Sequence, residues 1–484
     1  MADEKVQLDT YKLNVNNVLV EVSIVQYEDD VVPRYIVNIT NMSKTTKLIL
    51  EKIREEFISE VGVGVVELSE SGGVETIKIE FKKELTKLLK KYFPNADEQT
   101  KDMLINYVIE QNLGLGNIEI LLKDSNIEEV VVNSAKEPVW IYHKKFAWLK
   151  TNVIIPSEAR IRHFSTMIGR DVNKEISTLS PLMDAHLLTG DRVNATLEPI
   201  SSFGNTITIR KFATEPWTIT DFLKSKTIDY ETAALIWMCM QNELSLLIAG
   251  GTGSGKTSML NVISSFLPPN QRVISIEDTR ELQLPNTLHW VPLETRLANP
   301  EGKGGITMLD LIINSLRMRP DRIIMGEVRR EKEAETLFEA IHTGHSCYAT
   351  FHANDASETV TRLTNPPINI PKLVLPAMAG IIVQNRNRRT NKRKCMQFAE
   401  LLPNGMPNII RQYDPLDDTT KTVGQMKVIP NTLRIFTGMT PKMIEDDLHK
   451  KMRILKWMVD HNIRNLNDIG VLMAKYYRDK LVLK

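Results

Sequence analysis

The sequence predicts an α/β protein whose C-terminal half carries a largely parallel sheet, preceded by an α+β N-terminal region. Three observations predict it. From about residue 217 onward, short apolar strands alternate with helices, the order that builds a parallel sheet. A glycine-rich run, Gly250-Gly251-Thr252-Gly253-Ser254-Gly255-Lys256-Thr257, stands between one such strand and the next helix. Before about residue 213, alternating strands and amphipathic helices occur without that regular order.

The glycine-rich run fits the phosphate-loop pattern G-x-x-x-x-G-K-[ST]. Residues 244–249 before it read as a buried strand. Residues 257–266 after it read as a helix, stopped by Pro268-Pro269. Glycines let the backbone turn so that several N–H groups face one anion. The helix N-terminus adds partial positive charge. Lys256 is placed to reach β- and γ-phosphates, and the Thr257 hydroxyl to ligate Mg²⁺. The competing reading is a glycine-rich turn with no ligand, which does not account for the strand, lysine, threonine and helix together.

At 484 residues the chain is long enough for two or three domains. Its 42% hydrophobic and 25% charged residues are those of a globular protein, and a net charge of +1 points to no acidic or basic partner. No apolar run approaches the ~20 residues that span a membrane. The start, Met-Ala-Asp-Glu-Lys, lacks the apolar core of a signal peptide. Cys239, Cys347 and Cys395 are far apart, so a reducing cytoplasm is expected, with neither disulfides nor a cysteine zinc site.

Along the chain, residues 1–90 read as a small α+β domain suited to choosing a partner. Strands are expected at 33–39 and 76–81, a helix at 48–58 and a loop at 62–73. Helices are expected at 82–92 and 97–111; residues 91–213 read as a second α+β domain, with strands at 127–132, 138–142 and 206–210. Residues 214–218, containing Glu215-Pro216-Trp217-Thr218, form a linker that proline keeps from continuing as helix. Residues 219–484 read as one α/β domain that carries the glycine-rich run, with further strands at 272–276 and 321–327 and a mainly helical end from 421.

Two acidic segments follow those strands: Glu277-Asp278-Thr279-Arg280-Glu281, and Gly326-Glu327-Val328-Arg329. Ligands of open parallel sheets bind beyond the carboxyl ends of the strands. Glu277, Glu281 and Glu327 are therefore expected on the rim that carries the phosphate loop. A carboxylate there holds Mg²⁺ or orients the attacking water; the bland reading is solvated loop acids. His342, His345 and His352 lie within eleven positions, with no cysteine or HExxH spacing to argue for zinc. A histidine reporting the γ-phosphate is expected instead, the plain alternative being a structural one. Arg192 and Arg210 precede the linker and are candidates to neutralise phosphoryl charge, although such arginines are more often surface ion pairs. Arg317 and Arg319 are weaker candidates. The basic stretch 386–394 could meet nucleic acid or acidic lipid, but it lacks interleaved aromatics and reads as a solvated hairpin tip.

These motifs, with Ser275-Ile276-Glu277-Asp278-Thr279-Arg280-Glu281-Leu282, Ile324-Met325-Gly326-Glu327-Val328-Arg329, Thr343-Gly344-His345 and Thr350-Phe351-His352, resemble in order and spacing the secretion ATPase superfamily. That superfamily comprises the hexameric motors of type II and type IV secretion, type IV pili and the archaellum. The segments correspond to its Walker A, aspartate box, Walker B and histidine box. Gly116-Asn117-Ile118, residues 127–130 and 181–185, Gly190-Asp191-Arg192-Val193-Asn194 and Thr208-Ile209-Arg210-Lys211-Phe212 extend the resemblance toward the archaeal branch, over roughly residues 105–480. The resemblance implies a bilobed subunit with a RecA-like C-terminal ATPase domain, closing into a ring with ATP between the two domains. By position it implies Glu281 as activator of the attacking water and Glu327 as the Walker B acid. Lys256, His352, Arg192 and Arg210 complete the implied catalytic set. Nucleotide contacts are implied at Gly251, Thr252, Gly253, Ser254, Gly255, Lys256, Thr257 and Ser258, and Mg²⁺ ligation at Thr257 and Glu327.

The partners it implies are further copies of the chain, a polytopic membrane platform protein and, indirectly, pilin-like subunits; nucleic acid is not expected. The implied location is the cytoplasmic face of the membrane. The chain lacks the tetracysteine insertion of many bacterial members. It also has Gly253 where archaellum motors tend to have alanine. Pilus-type filament assembly is the expected role, with an archaellum motor, a secretion ATPase or a nucleic-acid translocase as alternatives. A nucleotide-gated scaffold without turnover is opposed by the presence of both Glu281 and Glu327.

Overall fold

The computed structural model describes residues 5–15, 18–40, 42–61, 74–172, 174–187, 189–212, 215–296, 298 and 302–482. The loop expected at 62–73 lies outside them. The chain divides into two compact units, Met1–Thr214 and Glu215–Lys484.

The first unit opens on a hairpin of β1 (Lys5–Val15) and β2 (Val18–Tyr27), continued by β3 (Arg34–Ile39). In β2 the valines at 18, 20 and 22 and Ile24 are buried while Leu19 and Glu21 face out, the period of two that a one-sided sheet requires. Helices Lys44–Val61, Val74–Tyr92 and Glu98–Leu113 follow and share a core containing Ile53, Phe57, Phe81, Leu85 and Leu104. The strand expected at 76–81 is therefore corrected to helix. Phe81, Leu85, Leu88 and Leu89 recur at helical spacing and are all buried. Packing of that face carries the helix back through the stretch and overrides its local alternation. Helix Asn117–Lys123, β4 (Ile127–Val132), β5 (Trp140–His143), β6 (Ala147–Thr151), helix Glu158–Asp171, β7 (Leu182–His186), β8 (Arg192–Thr196) and β9 (Thr206–Arg210) complete the unit. Its sheet runs β1-β2-β3-β6-β5-β4-β9-β8-β7, with β3 and β6 the parallel pair.

The second unit begins with helices Ile219–Lys224 and Tyr230–Gln241. Then come β10 (Leu246–Gly250), helix Lys256–Ser264, β11 (Arg272–Glu277), β12 (His289–Glu294), helix Met308–Ser315, β13 (Arg322–Met325), helix Glu331–His342, β14 (Ser346–Phe351) and helix Ala356–Thr364. A short 3₁₀ turn leads to β15 (Gly380–Arg386), β16 (Arg393–Leu401), β17 (Pro407–Asp414) and β18 (Thr419–Thr422). Three helices, Val428–Thr437, Pro441–Asp460 and Leu466–Val482, close the described chain. The sheet order is β12-β11-β13-β14-β10-β15-β16-β17-β18. The first six strands are parallel and the last three antiparallel.

Strand β10 is central and wholly buried. Leu246 and Ile248 face one apolar core with Trp237 and Phe266; Leu247 and Ala249 face the other with Phe338 and Phe351. An uninterrupted apolar strand is what a sheet covered on both faces demands. All six parallel strands end on one rim, which brings Gly250, Glu277, Met325, Phe351 and Arg386 to the same side of the sheet. This is a mixed α/β fold with two large sheets, and an N-terminal region precedes the unit that carries the parallel strands.

Candidate nucleotide site

The loop of residues 250–257 leaves β10 and enters helix Lys256–Ser264 through Gly255. Gly253 and Gly255 have φ of +70° and +92°, the left-handed region that side chains resist. At Gly250 a Cβ would lie 2.4 Å from Ser254 Oγ and 2.6 Å from the Gln384 carbonyl, so the chain can pass there only without a side chain. The first N–H groups of the helix lack intrahelical acceptors, and Gly255 offers no side-chain cap. These uncapped N–H groups at the helix start are donors that an anion can meet.

Lys256 projects back across the loop. Its Nζ donates to the Gly251 carbonyl at 3.2 Å and lies 3.4 Å from His352 Nε2. Burial lowers its pKa and the charges of Glu327 and Glu281 oppose that shift, so both acids lie within electrostatic reach of the ammonium. His352, just past β14, is 3.5 Å from Glu327 Oε1. Burial, then the nearby Lys256 charge, lowers the imidazole pKa and favours the neutral ring at pH 7. Glu327 is itself gripped by Arg329, whose Nε and Nη2 donate to its Oε2 at 3.0 and 2.7 Å while Nη1 reaches Asp278 at 2.7 Å. A continuous line of contacts therefore runs from Lys256 through His352, Glu327 and Arg329 to Asp278.

Glu277, the last residue of β11, is only 2% exposed. One of its oxygens accepts from the N–H groups of Glu281 and Leu282 at 2.9 and 3.0 Å, shaping the turn that carries Glu281. Its other oxygen is buried without a hydrogen-bond partner, as are Ser254 Oγ and Gln384 Nε2 on the same rim. Buried polar atoms are normally satisfied, so the orphans Ser254 Oγ in the loop and Gln384 Nε2 on β15, the neighbour of β10, fit a site built around a polar ligand. Thr257 in the first helical turn and Glu327 are the residues that could each offer a hard oxygen to Mg²⁺. Mg²⁺ held jointly by phosphate and water needs few more from the protein.

The histidine group does not stay together. His345 precedes β14 and His352 follows it, so six residues of strand, about 20 Å, separate them. His345 Nδ1 sits 3.2 Å from both Thr343 Oγ1 and the Ala340 carbonyl, closing the end of helix Glu331–His342. Arg192 and Arg210 belong to the first unit, where they are direct cross-strand partners on β8 and β9. Arg192 binds Asp184 through both Nε and Nη2, at 3.1 and 2.7 Å. The loop of residues 250–257 is in the second unit.

Sequence reasoning passed over Arg386 and Arg393. Read as part of a solvated tip, they instead lie against the loop: Arg393 Nε donates to the Gly253 carbonyl at 3.0 Å. The signal that would have found them is that β15 ends on the same rim as β10.

The sequence profile of the family described as "Type II/IV secretion system protein" matches residues 161–427. An uncharacterised protein of Methanocaldococcus jannaschii is 37% identical over 357 residues, 71% of this chain and 47% of that protein, so the match spans about half of that relative. A second from the same organism is 30% identical over 388 residues, 78% of this chain and 70% of that protein. The type IV secretion system protein PtlH of Bordetella pertussis is 29% identical over 272 residues, 50% of this chain and 77% of that protein. With its phosphate loop, strand-end acids and histidine in one ordered parallel sheet, the chain belongs to the type II/IV secretion family, within the secretion ATPase superfamily.

Proposed function

We propose that this chain is an ATP-hydrolysing motor for assembly of a type IV pilus-like filament or a related secretion machine. The observation that carries the reading is the contact line from Lys256 through His352 to Glu327 at the end of the β10 loop. It links the group that would hold the β- and γ-phosphates to the acid that would hold Mg²⁺ with Thr257. Glu281, on the turn shaped by Glu277, is assigned to the attacking water. His352, neutral at pH 7, would donate to the γ-phosphate and report its loss to the rest of the site. Membership in a family of secretion ATPases supports nucleotide binding and hydrolysis. None of the described helices is long and apolar enough to cross a membrane. By family analogy the proposed motor acts on a membrane platform protein from the cytoplasmic face. It works as a homo-oligomer, a hexamer by family analogy. Arg192 and Arg210 are assigned to neutralise phosphoryl charge.

The test is phosphate release by the full chain and by K256A with Mg²⁺ and ATP. Hydrolysis is expected in the natural chain and loss of at least a hundredfold in the variant, because a charged donor to the transferring phosphoryl group is removed. Equal turnover in both would overturn the reading.

A further inference from the structure

The turn between β15 and β16 holds the most basic stretch of the chain, yet two of its arginines face inward to the loop. Register sets this up. Gly250 of β10 pairs with Gln384 of β15, so Arg386 stands two residues past the point where the loop departs. Arg386 in turn pairs directly with Arg393 of β16. Like charges directly opposite each other on a sheet are unfavourable, and this pair flanks the loop that runs into a helix N-terminus. Arg386 Nε donates to Asn391 Oδ1 at 2.7 Å across the turn, and Arg393 Nε donates to the Gly253 carbonyl at 3.0 Å. A Cβ at Gly253 would stand 3.0 Å from Arg386 Nη1, and one at Gly255 3.3 Å from Arg393 Cδ. The two guanidinium arms therefore pack on the two glycines that give the loop its left-handed turns.

We propose that Arg386 and Arg393 are positioning residues for the nucleotide phosphates, acting through the loop. The inference rests on the reading that residues 250–257 bind a nucleoside di- or triphosphate. Arg393 fixes the Gly253 carbonyl outward, away from the anion that the loop N–H groups face. A peptide carbonyl swung inward would repel phosphate. Arg386, braced by Asn391, closes the same flank and adds positive potential on the β15 side of β10, across from Glu327 and His352 on the β13 and β14 side. The pair acts on diphosphate and triphosphate alike, because it touches the loop and not the strand ends that carry the acids. Its effect is uniform binding, seen in KM and not in kcat.

The experiment titrates the full chain and its R393A, R393K and R386A variants with a fluorescent ADP analogue, and measures kcat, KM for ATP and thermal midpoint on each. R393A is expected to raise the ADP Kd and the ATP KM about tenfold with kcat within twofold and an unchanged midpoint. R393K, which keeps one charged donor for the carbonyl, restores most of the affinity. R386A gives a smaller loss of the same kind. Unchanged affinity in both alanine variants, with the natural chain binding normally, overturns the proposal. So does a loss that comes with a lowered midpoint and is not rescued by lysine, since that marks a purely structural role. A natural chain that binds no nucleotide removes the nucleotide reading itself, a different result from either.

Discussion

Glu277 ends a buried strand with one oxygen holding two backbone N–H groups and the other holding none. Desolvation outweighs those two hydrogen bonds and pushes its carboxyl from 4.5 up to about 7. The sign of the consequence follows. Between the unfolded and the folded value the native state binds more protons, so stability is full below about 4.5 and declines as pH rises through 7. The loss above that window is on the order of 3 kcal/mol. Gln in place of Glu277 keeps an acceptor for the two N–H groups and cannot ionise. The thermal midpoint of E277Q should therefore gain on that of the natural chain between pH 5 and pH 8. Parallel behaviour of the two chains over that range would show that burial does not control this carboxylate. Because the turn carrying Glu281 hangs on the same two bonds, this residue also ties the stability of the β11 rim to the placement of the acid assigned to water activation.

At the scale of elements, the parts that were legible in the sequence are those whose signal is local. The strand, glycine loop, lysine and helix around 250–264 each follow from adjacent residues, and β4, β9, β11 and β13 follow from compact β-branched runs. The stretch 76–81 misled because its six residues alternate, while the burial that decides its conformation comes from its last residue, Phe81, and from Leu85 and Leu89 further along. Likewise β14 separates His345 from His352, which sequence proximity had grouped. The arginines of the β15–β16 turn became visible only through a register no local pattern contains. The β1–β3 meander has the same dependence on distant groups. Tyr11 on β1 and Tyr35 on β3 both donate to Asp124 Oδ2, at 2.5 and 2.7 Å, and this carboxylate is fully buried behind helix Asn117–Lys123. Two bonds to a charged acceptor are worth on the order of 3 kcal/mol net. D124A should thus speed amide exchange in β1 and β3 by roughly a hundredfold while β10 and β14 keep their protection. Unchanged exchange in the meander would mean that its valine face alone holds it.

Over the whole molecule, the chain returns at its end to the helix that begins at the loop. Trp237, fully buried in helix Tyr230–Gln241, stacks on Phe266 just beyond helix Lys256–Ser264, with ring centroids 5.2 Å apart and planes 5° apart. Tyr477 of the last helix accepts from Trp237 Nε1 at 3.0 Å and donates to the Phe266 carbonyl at 2.6 Å. Tyr476 covers the other approach to Trp237, 4.9 Å away, and Lys451 lies over both rings, its charge met by Asp447. Residues more than 200 positions apart thus share one buried polar knot, and the C-terminal helices belong to the core of this unit. The knot sits at the far end of the helix from Lys256, nine residues or about 13 Å along its axis. Stability and nucleotide handling should therefore separate there. Y477F removes the donor to the Phe266 carbonyl and the acceptor for the indole, leaving two buried groups unpaired at a cost of about 1–3 kcal/mol. A midpoint lower by on the order of 5 °C is expected, with the KM for ATP unchanged below the transition. If Y477F instead raised that KM without moving the midpoint, the knot would be part of the nucleotide site's machinery and the C-terminal helices a control element, not a floor.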